Sequence, residues 1–271
     1  MPGEPDPLYV HARAALLDAL HALEPHLDAV VLVGAQAIYI HTGDADLAVA
    51  EYTTDADFSA SPNELADSPL LDDLLLAHGF TPREHPGGWL SPGGVYIDLM
   101  VPETLAGPGT RGARLGVHGK RAARRAKGLE GALVDRERSV ITALDPSDNR
   151  HVEMWIAGPG ALLVAKIHKI SERLGQMERV RDKDALDVLR LLRAIETDVL
   201  AGRLAILRES SLAGSTTTEA IGLFPRLFGQ LSAEGVAMAV RAAGDQEDPA
   251  TIAGSVVALA DALVKDPALL G

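Results

Sequence analysis

The chain has 271 residues, 47% of them hydrophobic and 23% charged, enough apolar material for one large domain or two modest ones, which excludes a disordered or fibrous protein. It contains no cysteine, so a disulfide framework, a thiolate zinc site, an iron–sulfur cluster and a cysteine nucleophile are excluded. The net charge of -13 argues against general affinity for nucleic-acid phosphates, yet the charge is unevenly placed. Residues 1–103 hold 17 Asp and Glu against Arg13 and Arg83 alone, a deficit suited to cation binding. Residues 104–129 hold no acid and carry Arg111, Arg114, Lys120, Arg121, Arg124, Arg125 and Lys127. No apolar run approaches the roughly 20 residues of a membrane helix, and the opening Met1-Pro-Gly-Glu-Pro-Asp-Pro lacks a signal-peptide layout. A soluble, cytoplasmic protein that does not enter a membrane is expected.

In chain order, Leu16, Leu17, Leu20 and Leu23 fall at helical spacing and predict a first amphipathic helix over 8–23. Ala29-Val-Val-Leu-Val33 is short, β-branched and apolar, as a buried strand is, and Gly34 turns it into a short helix over 35–40. Residues 52–60 alternate, with Asp55 and Asp57 on one face of an extended segment and Ala56 and Phe58 on the other. A helix over 72–78 precedes a hairpin that pairs 80–83 with 88–90. Val95-Tyr-Ile-Asp-Leu-Met-Val101 is the clearest strand, and Asp98 is a charge in its middle. The basic strip reads as loops with a short helix over 121–127. Past a boundary near Pro159, helices are predicted over 160–175 and 183–195, followed by further Ala- and Leu-rich segments.

Three carboxylates on two strands form a hard oxygen donor set for Mg²⁺ if those strands are neighbours. The run Val33-Gly-Ala-Gln-Ala-Ile-Tyr-Ile-His-Thr-Gly43, then Thr54-Asp-Ala-Asp-Phe58, then a later strand carboxylate resembles the nucleotidyltransferase superfamily, and within it the AbiEii-type, or MenT-like, toxins. Ala161-Leu-Leu-Val-Ala-Lys166, Arg173 and Arg181-Asp-Lys-Asp-Ala-Leu-Asp187 extend the likeness, which covers roughly residues 29–193. It departs from the pattern at Ala35, where a second glycine or a serine is usual, and at 44–51, an apparent insertion.

The resemblance implies an α+β fold: a nucleotidyltransferase-like mixed sheet flanked by helices over 1–158, then a helical domain over 159–271. It implies Mg²⁺-dependent transfer of a nucleotide from an NTP to a hydroxyl. Asp55, Asp57 and Asp98 would hold one or two metal ions, with Asp98 also a candidate base. Gly34 and Ala35 would offer backbone N–H groups to phosphate. Lys166, and with it Lys169, would neutralise phosphate charge, Asp184 would orient the lysine or the acceptor, and Asp187 would support nucleotide binding. By the same resemblance the acceptor is an RNA end such as tRNA, met by the strip 111–127, and a cognate antitoxin protein is expected. The overall acidity suits a small cationic acceptor better. A degenerate fold kept as a nucleotide-binding or interaction module is the non-enzymatic alternative.

Each position also has a plainer reading. Asp55 and Asp57 could end a solvated loop, Asp98 could guard a sheet edge, Lys166 and Lys169 could form the polar stripe of an amphipathic helix, and Asp184 and Asp187 could favour a helix start.

Overall fold

The computed structural model describes residues 6–43, 53–174 and 182–270. The apparent insertion at 44–51 and Arg181 of the second motif therefore lie outside the described residues.

Asp6 opens α1 (Pro7–Ala22): its carboxylate accepts from the Leu8 N–H at 2.7 Å, and Pro7 fills the first helical position, where no N–H is needed. The apolar run forms β1 (Val30–Val33), buried at every residue, and passes directly into α2 (Gly34–Thr42). β2 (Asp55–Ala60), α3 (Leu71–Ala77), the hairpin β3 (Thr81–Pro82) and β4 (Gly88–Leu90), and β5 (Tyr96–Pro102) follow as the periodicity predicts. The strip gives β6 (Arg124–Ala126) rather than the helix expected over 121–127. Its three residues pair in parallel with Met100, Val101 and Pro102, so a ladder supplied by β5 overrides local composition. Two strands not predicted, β7 (Arg136–Thr142) and β8 (His151–Ala157), form an antiparallel pair.

The sheet runs β3-β4-β5-β2-β1-β8-β7, with β6 beside β5. It is mixed: β1 is antiparallel to β2 but parallel to β8, and β2 is parallel to β5. β4 and β6 divide one edge of β5, β4 meeting residues 96–98 and β6 meeting 100–102. This division brings the end of the basic strip beside the strand that carries Asp98.

Beyond the sheet come α4 (Pro159–Arg173), α5 (Lys183–Ala194), α6 (Thr197–Glu209), α7 (Gly214–Phe228), α8 (Glu234–Ala243) and α9 (Pro249–Val264). α4 and α5 pack on each other and on α2, which joins the helical region to the sheet beside the Gly34 turn. One hydrophobic core runs through both parts. Among the described residues no helix is long and apolar enough to cross a membrane.

Candidate functional site

The predicted carboxylates meet on one sheet face. Parallel pairing puts Asp55 opposite Tyr96 and Asp57 opposite Asp98, while antiparallel pairing puts Val33 opposite Asp57. Paired residues on adjacent strands share a face, as do residues two apart on one strand, so Asp55, Asp57 and Asp98 project together.

Gly34 is required by this arrangement. Its φ is +72°, and a Cβ there would lie 2.3 Å from Asp57 Oδ2. Gln36, one turn into α2, donates to the main-chain oxygens of Ala12 at 3.2 Å and Asp55 at 3.0 Å. It also accepts from buried Arg13 at 3.0 Å, which ties α1, α2 and the start of β2 together. Ala35, the departure from the familiar turn, is buried.

The three carboxylates sit in different electrostatic environments. Burial and the neighbouring charge of Asp55 push Asp57 up to about 6; Lys169 opposes this, Asp98 adds to it, and Arg124 opposes it. Burial would also raise Asp55, but Lys183, a 2.5 Å hydrogen bond from the Thr53 hydroxyl, Lys169 and Lys166 outweigh it and hold Asp55 below its usual value. Asp98 is engaged on both oxygens, by His85 Nε2 at 3.3 Å and by Arg124 at 3.3 Å. Among the described residues no group of three or more His, Asp or Glu is gathered as a metal centre. Mg²⁺ needs less than that, since it is commonly held by one or two carboxylates with substrate phosphates and water completing the octahedron. Asp55 and Asp57, two apart on β2 and on one face, fit that donor set.

Beside them opens a cavity of about 320 Å³, lined by Val33 and Asp57 from the sheet, Gly34 at the start of α2, Met100 on β5 and Glu103 just past it, Arg124, Arg125 and Lys127 from the strip, and Lys166, Lys169, Glu172 and Arg173 on α4. Six cationic side chains against three carboxylates give it a basic lining in a protein of net charge -13. Of the seven strip bases, these three enter the cavity lining. Arg121 is exposed and donates to the main-chain oxygens of Arg83 and Glu84, and Arg114 to that of Pro108.

The two lysines of α4 differ. Lys166 is buried and held between Asp184 at 2.7 Å and Asp187 at 2.6 Å, both on α5. Burial opposes its charge, but these two carboxylates raise its pKa above the ordinary lysine value. Two of its three donors are therefore turned away from any phosphate. Lys169 lies 3.2 Å from Asp184 with 34% of its side chain exposed. Burial, Lys166 and Arg173 lower its pKa against the pull of Asp184 and Asp57. Asp184 gathers Lys166, Lys169 and Arg173, the last at 3.2 Å, and these cations outweigh its burial and hold it ionised well below the usual carboxylate range. Asp184 thus orients lysines, and Asp187 serves Lys166.

Two neighbours of the site were missed. His85 belongs to the Glu84-His-Pro-Gly bend, and its signal is the hairpin register that sets Gly88 opposite Asp98. Lys183, the first residue of α5, carries a charge that acts on Asp55 across the fold; it lies within the run 181–187, which was its only signal.

No protein-family model, curated protein or solved structure matches this chain.

Proposed function

We propose that the protein is an Mg²⁺-dependent nucleotidyltransferase that passes a nucleotide from an NTP to a hydroxyl acceptor, an RNA end by the resemblance or, as the overall acidity suits, a small cationic molecule. The observation that carries this reading is one juxtaposition: half-buried carboxylates on β2 and β5 beside a cavity lined by more cations than anions. Such a pair of surfaces suits a triphosphate, whose charge calls for cationic groups along its length and a divalent cation held by carboxylates.

Asp55 and Asp57 would hold Mg²⁺, which would supply charge neutralisation to the triphosphate. Lys169, Arg173 and the strip bases Arg124, Arg125 and Lys127 would bind the β- and γ-phosphates, and Lys166 would keep Asp184 and Asp187 in place behind them. A triphosphate that draws Arg124 from Asp98 leaves Asp98 free to take the acceptor's proton. The acceptor oxygen then bonds to the α-phosphorus as the bond to the leaving oxygen breaks, and pyrophosphate departs. Fixed cations in a shielded cleft stabilise charge that develops there more than they would in open water.

The test is incubation of the protein with each α-³²P-labelled NTP, Mg²⁺ and total RNA, beside an Asp57→Asn control and a lane without RNA. Label on RNA that disappears in Asp57→Asn supports the reading, and a partner that acts as antitoxin should suppress it. The engagement of Asp98 by Arg124 and His85 favours one alternative, a nucleotide-binding module without catalysis. That alternative predicts Mg²⁺-dependent NTP binding with no label on RNA or on any small cationic acceptor.

A further inference from the structure

Nearly every described Phe, Tyr and Trp is buried or partly covered, but Tyr96 is 46% exposed. It is the first residue of β5, two before Asp98 and directly opposite Asp55, so it stands on the carboxylate face of the sheet. The guanidinium carbon of Arg83 lies 4.0 Å from its ring centroid. Arg83 is fixed at the hairpin: its N–H donates to Gly88 at 2.8 Å, and its carbonyl accepts from Arg121 at 2.9 Å. The acidic first 103 residues contain two bases, and the other, Arg13, is buried and bound to Tyr9, Gln36 and Thr142.

We propose that Tyr96 and Arg83 form an acceptor subsite that stacks the terminal nucleobase of a single-stranded RNA. The placement rests on the transferase reading. β5 rises about 3.3 Å per residue, so Tyr96 and the Met100 end of the cationic cavity are about 13 Å apart with Asp98 midway. In an in-line displacement the attacking and leaving oxygens lie on opposite sides of the phosphorus. A triphosphate with its leaving end among Arg124, Arg125 and Lys127 therefore exposes its α-phosphorus to a hydroxyl arriving from the Tyr96 side. An aromatic ring layered with a guanidinium is the surface on which an unpaired base stacks, with little dependence on sequence. Arg121, which donates to the Arg83 carbonyl, adds a second exposed cation beside the ring, where the phosphate of a terminal nucleotide would lie.

The experiment measures RNA labelling kinetics, and binding of a short single-stranded oligoribonucleotide, of NTP and of inorganic tripolyphosphate with Mg²⁺, for the wild type, Tyr96→Phe, Tyr96→Ala and Arg83→Ala. The expected result is that Tyr96→Ala weakens oligonucleotide binding and raises its KM by roughly five-fold or more, in line with loss of one stacked base. Tyr96→Phe should retain wild-type behaviour, Arg83→Ala should fall between, and tripolyphosphate and NTP binding should be unchanged in all three. Equal loss of NTP and oligonucleotide affinity in Tyr96→Ala, with tripolyphosphate binding kept, would assign the platform to the NTP base and overturn the acceptor subsite. Unchanged oligonucleotide binding and KM in Tyr96→Ala would overturn it outright. Tyr96-dependent oligonucleotide binding by a wild type that transfers no label would keep the platform and reject the transferase. Absence of both binding and transfer in the wild type would reject both.

Discussion

On the helical wall of the cleft, Lys166 lies between Asp184 and Asp187, and Lys169 and Arg173 add to the charge on Asp184. On the sheet wall, Asp57 stands beside Asp55 and Asp98 with its pKa raised to about 6. The same residue types are thus used in opposite ways. Buried charges that answer one another fix two helices in register, whereas on the sheet wall Asp57 is crowded by like charge from Asp55 and Asp98 and has no ion pair of its own among the described contacts. The difference lies in the count of partners within reach, and it separates scaffold from site better than residue type does.

Breaking the paired side should have the largest effect. Lys166→Ala leaves two buried carboxylates without their main partner and should lower unfolding free energy by about 3–5 kcal/mol, measured by denaturant titration. Gly34→Ala comes next, since it forces a side chain into a positive-φ position and onto the Asp57 carboxylate. It should cost about 2 kcal/mol or more in the same titration, with transfer activity reduced as Asp57 is displaced.

Asp57→Asn should act in the opposite direction on stability while removing transfer. The folded pKa of about 6 lies above the ordinary carboxylate value, so the folded state binds this proton more tightly than the unfolded chain does. Stability from this group is fully present below about pH 4 and is lost as pH rises through about 6. At pH 7 the Asn variant should therefore melt above the wild type, and the gap should close in thermal scans below about pH 4. The smallest effect belongs to an exposed pair: Lys265→Ala, which removes the contact with Asp261 at 2.8 Å, should change stability by no more than about 0.5 kcal/mol. If Lys166→Ala proved equally mild, the distinction between the two walls would fail.

The sheet centre was legible in the sequence because its signals are local. Four apolar residues followed by Gly34, the Asp55–Asp57 alternation and the strand around Asp98 each bear a period-2 or turn signature. The neighbour relation of β2 and β5, on which the site depends, is not written in either strand alone and comes from the register that pairs Asp57 with Asp98. β7 was obscured by its sheet-edge position, where Arg136, Glu137 and Arg138 dilute the hydrophobic pattern, and β8 by His151 and Glu153. β6 owes its extended form to the ladder with β5, and its own small and basic residues suggested a helix. For Lys166 the resemblance pointed to Asp184 as its partner, as the 2.7 Å contact has it, but a lysine on an amphipathic helix gives no sign that Asp187 will close on it as well and take a second donor.

The parallel pairing of β2 with β5 has a consequence for synthesis. Asp57 and Asp98 become neighbours only after the intervening hairpin has been made and β5 has docked, and the cationic wall arrives later still, with Lys169 and Arg173 on α4. A growing chain that has reached residue 150 carries all three carboxylates and none of the α4 cations that face them. A property that depends on both walls is therefore absent until the helical half has folded against the sheet, and translation itself sets the earliest moment at which the whole cleft exists.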